Sequence, residues 1–358
     1  MKHNLVWKQL AQRMRRAVLR VAWSAAGVYG VVITLWVGLK LLGSTWPPVE
    51  MISNLLPLLL LPSLLIVPLS LWRRRWFMWL VSLPALLVFL LSYGGFFLPR
   101  SVPVKSAAQS LPLLTYNVHA ESVHIQPMLD VIRAADAEVV ALQEVSPALA
   151  EAVAAQLIDR YPYQALHPNF VNPIWGQGVL SRYPIVEDEY WKISLGHQRV
   201  EIDWNGTPLV LYNVHPVHPF RLHEGWLFDM QPHRAEVDEL LRRVALDTGE
   251  VVIAGDFNMT DQADDYQRLA RRFADAYREV GWGLGFTFPD FSHAHTLPFE
   301  VPLATTLGRP LARIDFIFYS DKLQPVAARV WPTSGGSDHR PVLAEFANDT
   351  IKSTAARP

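Results

Sequence analysis

Eight polar side chains in the second half of the chain stand where apolar runs stop. Asn117 closes LPLLTYNV (111–118), Glu144 lies near the end of EVVALQEV (138–145), and His215 ends PLVLYNVH (208–215). Asp256 and Asn258 end VVIAGDFN (251–258), Asp315 sits in ARIDFIFYS (312–320), and Asp338 and His339 lead into RPVLAEF (340–346). Acids, amides and histidines gathered at strand ends provide hard oxygen donors for a divalent cation and groups that move protons. Together they are the equipment for metal-assisted hydrolysis of a phosphoester.

Each residue also has a plainer use. A carboxylate such as Glu144 is costly to bury unpaired, which favours a cation beside it. It serves equally well as a surface acid ahead of the helix expected from about Ser146. Asn117 and the Gly-Asp-Phe-Asn run suit turns that end strands, and a lone strand-end histidine such as His215 is commonly structural.

The elements that would position these residues alternate in period. The apolar runs above, with GVLSRYPI (178–185) and RVEIDW (199–204), read as strands. Residues 125–135 and QPHRAEVDELLRRV (231–244) read as amphipathic helices. This mixture predicts a layered α/β domain, with ligand chemistry on the rim where strands end.

The ordered motifs TYNV, LQEV, GVLSRYPI, NVHP, GDFN, RIDFIF and SDHRPV resemble those of the endonuclease/exonuclease/phosphatase superfamily, over about residues 111–347. The resemblance implies a DNase I-like four-layer α/β sandwich, two packed sheets with helices outside. It implies a Mg²⁺ (or Mn²⁺) ion held by Glu144, with Asn117 and Asp338 beside it. It implies that Asn117, His215 and Asn258 meet the substrate phosphate, that Asp315 orients His339, and that Asp256 or the Asp315–His339 pair takes the proton of the attacking water. One position departs: AP-endonuclease-like members carry an acid two residues after the first Asn, and here that residue is His119. The departure speaks against a second metal ligand and against a DNA-repair role.

The first half of the chain has a different composition. Residues 1–104 hold 11 of the 32 Lys/Arg and one of the 33 Asp/Glu, Glu50, which leaves residues 105–358 with a net charge of −11. Three apolar runs, about 21–42, 51–72 and 76–98, are each long enough to cross a bilayer as a helix. Basic residues before the first run and Arg73–Arg75 between the second and third predict a cytoplasmic N-terminus (1–20). With three spans, the linker (99–110), the catalytic domain (111–347) and the tail (348–358) fall on the extracytoplasmic side. The chain has no cysteine, which excludes disulfides and thiolate metal sites.

These features bound the substrate. An acidic domain lacks the basic footprint of a nucleic-acid binder, so a membrane-tethered DNA or RNA phosphodiesterase is the alternative rather than the first expectation. A catalytically inactive binding module is the second alternative. Two loops, 216–230 with Phe220, Trp226 and Phe228, and 282–308, are apolar and predict a wall for a lipid phosphate. The layout, membrane spans ahead of such a domain, is similar to that of VanJ-type membrane proteins and implies a cell-envelope lipid phosphate.

Overall fold

The computed structural model describes residues 2–98, 110–122, 124–220, 228–290 and 310–348. The chain divides into two compact units, Met1–Leu98 and Pro99–Pro358.

The first unit is helical: α1 (Lys2–Leu41), α2 (Pro47–Ser53), α3 (Leu56–Leu60), α4 (Ser63–Trp72) and α5 (Trp76–Tyr93). Helix α1 begins well before its apolar run, because the basic and Gln/Ala-rich leader is itself helix-favouring. Among the described residues two helices, within α1 and from Trp76 to Phe97, are long and apolar enough to cross a membrane. The stretch 51–72, expected as one kinked span, is broken. Pro47–Ser53 and Leu56–Trp72 meet at 78°, and the total is three spans only if this bent pair counts as one. Pro57 sits in the first turn of α3 and Pro62 caps α4; each lacks an N–H and restricts the residue before it, so the ladder restarts twice. Helices α1 and α5 approach closely because Gly30 leaves no Cβ, which would lie 2.6 Å from Ser82 Oγ. Thr34 Oγ1 donates to the Val81 carbonyl (2.6 Å) and Tyr29 to Leu59 O (2.8 Å), polar links of the kind that hold apolar helices together.

The second unit contains two six-stranded mixed sheets. The first runs β11 (Leu323–Val330), β12 (Val342–Asn348), β1 (Ser110–Asn117), β2 (Val139–Gln143), β4 (Gln177–Ser181), β3 (Tyr163–His167). The second runs β5 (Ile185–Lys192), β6 (Gly196–Trp204), β7 (Thr207–Val214), β8 (Glu250–Asp256), β10 (Asp315–Tyr319), β9 (Ala274–Asp275). Helices α6 (Ile125–Ala135) and α7 (Pro147–Gln156) cover the first sheet, where Met128, Leu129, Ile132, Leu149 and Val153 pack on Leu114, Tyr116, Val140 and Leu142. Helices α8 (Gln231–Val244) and α9 (Asp264–Ala270) cover the second, where Val237, Leu240, Tyr266 and Leu269 pack on Tyr212, Ile253, Phe316 and Phe318. A short helix, α10 (Ala276–Val280), follows β9. The order helix, sheet, sheet, helix is the four-layer DNase I-like sandwich expected from the motifs.

Alternation decides which residues reach the layer between the sheets. Leu114 and Tyr116 of β1 and Val251 and Ile253 of β8 face the outer helices. Thr115 and Asn117, and Ala254 and Asp256, therefore face inward. Toward the rim that layer turns polar: Gln143 Nε2 donates across it to Asn213 Oδ1 at 2.7 Å and, within its own sheet, to Thr115 Oγ1 at 3.1 Å.

One strand expectation was wrong. Residues 178–185 are not one strand: β4 ends at Ser181, whose Oγ accepts from Tyr183 N (3.0 Å), and β5 begins at Ile185 in the other sheet. Pro184 cannot donate to a ladder, and the chain changes sheets there.

Candidate active site

Strand direction gathers the eight residues. Strands β1 and β2 are parallel, so Asn117 and Glu144 leave the first sheet at one edge, and β12, antiparallel to β1, enters from that edge just after Asp338 and His339. In the second sheet β7 and β8 are parallel, which brings His215 and Asp256 together, and antiparallel β10 sets Asp315 opposite Asp256. Asn117 of the first sheet and Asp256 of the second are hydrogen-bonded, Nδ2 to Oδ2, at 3.0 Å, so both edges form one rim.

Asp256 Oδ2 is the hub. Besides Asn117 it has His215 Nε2 at 3.5 Å and His339 Nε2 at 3.6 Å, while Asp256 Oδ1 accepts from Asn258 N at 2.8 Å. Burial pushes the Asp256 carboxyl up, Asp315 adds to this, and the histidines work against it; the result is a pKa of about 6. His339 Nδ1 lies 3.0 Å from Asp315 Oδ2. Burial lowers the imidazole pKa, but Asp315 and Asp256 outweigh it and hold His339 well above the ordinary histidine value. Ser337 Oγ accepts from His339 N (3.0 Å) and donates to Asn117 O (2.7 Å), tying the two strands at the rim. The Phe288 ring covers the His339 imidazole at 4.7 Å.

Glu144 lies one residue past β2 with φ of 61°, a left-handed conformation unusual outside glycine. Such strain recurs at functional positions. Glu144 Oε2 accepts from Ala120 N (2.9 Å) and Oε1 from Asn117 Nδ2 (3.0 Å), with His215 Nε2 3.7 Å from Oε1. Its side chain is 17% exposed against 1% for Asp256, so it opens to the rim while Asp256 is sealed beneath. Asn258, at φ 49°, donates from Nδ2 to Pro216 O (3.0 Å) and joins the GDFN turn to the loop after His215. Asn117 Oδ1 accepts from His119 N (2.9 Å); the amide braces both carboxylates.

The donor chemistry fits a hard divalent cation at Glu144: an anionic oxygen, partly open, on a strained and hydrogen-bonded backbone. Asp338 is engaged differently. Its Oδ1 pairs with His119 Nδ1 at 2.7 Å and stands 4.0 Å from His339 Nε2. Burial pushes the Asp338 carboxyl up, but the two histidines more than offset this and hold it below the usual range. His119, at φ 53°, thus answers Asp338 at the position where the motifs depart from those of AP-endonuclease-like members. Asp256, Asp315 and His339 also bring donor atoms within 4.8 Å of one another. Within this trio His339 Nδ1 already bonds Asp315 Oδ2 directly, at 3.0 Å.

Supporting residues escaped the motif reading. Helix α8 carries His233 and Glu236 on the same face as Val237, Leu240 and Val244, all buried. His233 Nε2 meets Phe257 O (2.8 Å) inside the GDFN turn, and its Nδ1 meets Asp265 Oδ2 (2.9 Å). Glu236 accepts from Ser194 N, Leu195 N and Val217 N, and His197, whose Nδ1 accepts from His215 N (3.3 Å), lies beside it. An acid and a histidine on an apolar helical stripe were the available signal.

The expected aromatic wall is changed. Phe228 is only 4% exposed and packs edge-on against Phe220 at 5.5 Å, so it supports the fold. Phe220 is 44% and Trp282 63% exposed. Trp226 lies outside the described residues, as does 291–308 of the second loop.

The architecture has known counterparts. An endonuclease/exonuclease/phosphatase from Bacteroides vulgatus is 18% identical with a TM-score of 0.53, over 67% of this chain and all of that one. D. rerio TDP2, in complex with a single-strand DNA product, is 16% identical with a TM-score of 0.53 over the same shares. TDP2 from C. elegans is 16% identical with a TM-score of 0.53, over 66% of this chain and 75% of that one. At these identities the likeness is one of fold. No curated protein matches the chain in sequence. The family model for the endonuclease/exonuclease/phosphatase family matches residues 114–339, which span the rim from β1 to His339. With the motifs, the sandwich and the match over more than half its length in agreement, the chain belongs to the endonuclease/exonuclease/phosphatase family.

Proposed function

We propose that the chain is a membrane-anchored phosphoesterase that uses a divalent cation, Mg²⁺ or Mn²⁺, to hydrolyse a phosphoester or pyrophosphate of a cell-envelope lipid on the outer face of the membrane. The observation that carries the reading is the convergence of Asn117, His215 and His339 on Asp256 Oδ2, with Glu144 open beside them. Glu144, with Asn117 and Asp338 beside it, would hold the cation, which when bound supplies charge stabilisation to the phosphoryl oxygens. Asp256 accepts a proton from the attacking water, suited to it by a pKa of about 6. His339, oriented by Asp315, stabilises the charge that develops on phosphorus-bound oxygen, and His215 with Asn117 and Asn258 lines the phosphate position.

The lipid substrate is supported by three features. The apolar helices tether the domain at a bilayer, which raises the effective concentration of lipid. The acidic charge of residues 105–358 works against a polyanionic strand. Phe220 and Trp282 offer exposed rings in the two loops read as a lipid wall. The layout, similar to that of VanJ-type proteins, supports an undecaprenyl-linked pyrophosphate or another cell-envelope lipid phosphate.

The test is a panel run on the full chain in detergent: an undecaprenyl pyrophosphate, a phospholipid phosphomonoester, bis-p-nitrophenyl phosphate, and single- and double-stranded DNA, each with Mg²⁺ or EDTA. Lipid pyrophosphate turned over fastest, and only with metal, is the expected result. DNA cleaved faster than any lipid would replace the reading with that of a tethered nuclease, a class to which the strand-bound TDP2 neighbour lends its fold. No turnover of any substrate would leave a binding module.

A further inference from the structure

The helical unit carries a charged cluster that phosphoester chemistry does not use. Arg16 and Arg20 are one turn apart on α1 and share a face. Arg73 and Arg75 flank the turn between α4 and α5, where Arg74 takes φ of 53°. With Leu19 and Trp23, these four arginines line one cleft of about 330 Å³. No acid lines it. The single acid of the first 98 residues, Glu50, follows the opposite end of α1, roughly 30 Å from Arg20 at 1.5 Å per residue.

Four guanidinium groups around one cleft repel one another, and the unit holds no carboxylate there to relieve them. Their placement is nonetheless held. The Arg75 guanidinium lies 4.9 Å from the centroid of the Trp23 ring and Arg73 4.8 Å from that of Trp72, stacking that fixes a guanidinium plane. Helix α5 starts at Trp76, so its positive dipole end adds to the same field. Planar forks of this kind match phosphate oxygens in pairs. Trp72 and Trp76, both exposed, bracket the turn as rings do at a bilayer interface. Further along, α1 and α5 expose Val28, Val32, Leu35, Leu80 and Leu87, a surface suited to acyl chains rather than to free phosphate.

We propose that this cleft binds the phosphate headgroup of an anionic phospholipid and thereby clamps α1 to the α4–α5 turn. The proposal rests on α1 and α5 crossing the membrane and is independent of the substrate of the catalytic domain.

The full chain, purified in mild detergent, is analysed by native mass spectrometry for retained lipid after exposure to equimolar phosphatidylglycerol and phosphatidylcholine, and by thermal unfolding with each lipid. Preferential retention of phosphatidylglycerol and a raised Tm are expected. Arg20→Gln with Arg75→Gln should weaken retention roughly tenfold or more, since each basic group near an anionic surface contributes appreciably. Arg13→Gln with Arg15→Gln removes the same charge from the same helix outside the cleft and should leave retention intact. Arg20→Lys with Arg75→Lys, which keeps charge and fold, should recover most of it. Equal losses from both glutamine pairs would reduce the cleft to general surface charge and overturn the proposal. So would equal retention of the two lipids, or equal protection by inorganic phosphate. A chain that fails to float with vesicles of any composition would overturn the membrane reading and this proposal together; flotation without lipid preference would overturn this proposal alone.

Discussion

At the scale of single residues, burial sets what each carboxylate can do. Asp256 is sealed and close to Asp315, so its charged form is disfavoured and its proton affinity raised to about 6. Asp256→Asn removes that buried charge while keeping shape and one hydrogen-bonding oxygen. It should cut turnover of bis-p-nitrophenyl phosphate by about a hundredfold or more, the usual loss for a positioned proton-transfer group, and leave the Tm unchanged or higher. A fall in Tm with retained activity would make Asp256 structural. Glu144→Ala should act on metal dependence instead, raising the Mg²⁺ or Mn²⁺ concentration needed for half-maximal rate, measured by titration from EDTA-stripped protein. An unchanged titration curve would remove Glu144 from the cation site.

At the scale of elements, α8 is the brace of the loops at the rim. Glu236 holds three backbone N–H groups from two separate loops, one of them two residues after His215. Glu236→Ala leaves those donors without their acceptor; the Leu195 bond is buried and the Ser194 and Val217 bonds are half-buried. The loss should be about 2–4 kcal/mol, given about 1–3 kcal/mol for a fully buried group left unpaired and less where water reaches; Glu236→Gln, which keeps an acceptor oxygen, should cost less. Urea unfolding of the two variants checks the order. The other tie from α8 is pH-dependent. Burial pushes the Asp265 carboxyl up, but His233 and Arg268 outweigh it and hold it below the ordinary value. A carboxylate with a lowered folded pKa stabilises the fold above its unfolded value of about 3.9, and that contribution is lost as pH falls through the lower folded value. Asp265→Asn should therefore destabilise at neutral pH and flatten the stability curve below about pH 4. Parallel curves for variant and parent would remove Asp265 from the acid transition.

At the scale of the whole molecule, two compact units of opposite character share one chain. Removal of residues 1–98 should spare turnover of a small soluble phosphodiester and reduce turnover of lipid presented in vesicles. Equal effects on both substrates would mean that the helices support the fold rather than the encounter with lipid. Phe220→Ser with Trp282→Ser, both exposed, should mimic the truncation; Phe228 is unsuitable because its burial makes any loss ambiguous. Orientation is tested separately. The basic leader and Arg73–Arg75 predict a cytoplasmic N-terminus and an extracytoplasmic domain, so alkaline phosphatase fused after Phe346 should be active and green fluorescent protein dark. The reverse pattern would exchange the two faces.

The family was legible in the chain because its carriers are local. Strand ends announce themselves by an apolar run followed by a polar residue, as at Asn117, Glu144, His215 and Asp256, and seven motifs in family order left little freedom for these, Asp315 and His339 to lie elsewhere. The first and third apolar helices were equally legible, since bilayer thickness translates directly into run length; the middle run, broken at its prolines, was not. What depended on folding was pairing and depth. Local pattern does not say that Asp256 Oδ2 rather than Glu144 becomes the hub, because that follows from β1 and β8 facing each other across the sheet interface. It does not reveal that His119 answers Asp338, residues 219 positions apart in the chain, nor that Ser181 and Ile185 belong to different sheets. Glu236 and His233 read as errors in an amphipathic pattern until tertiary contacts supply their partners. A sequence lists which groups can act and where a strand must stop; burial, and with it pKa and pairing, depends on neighbours that are distant in the chain and so is decided only when the sheets close.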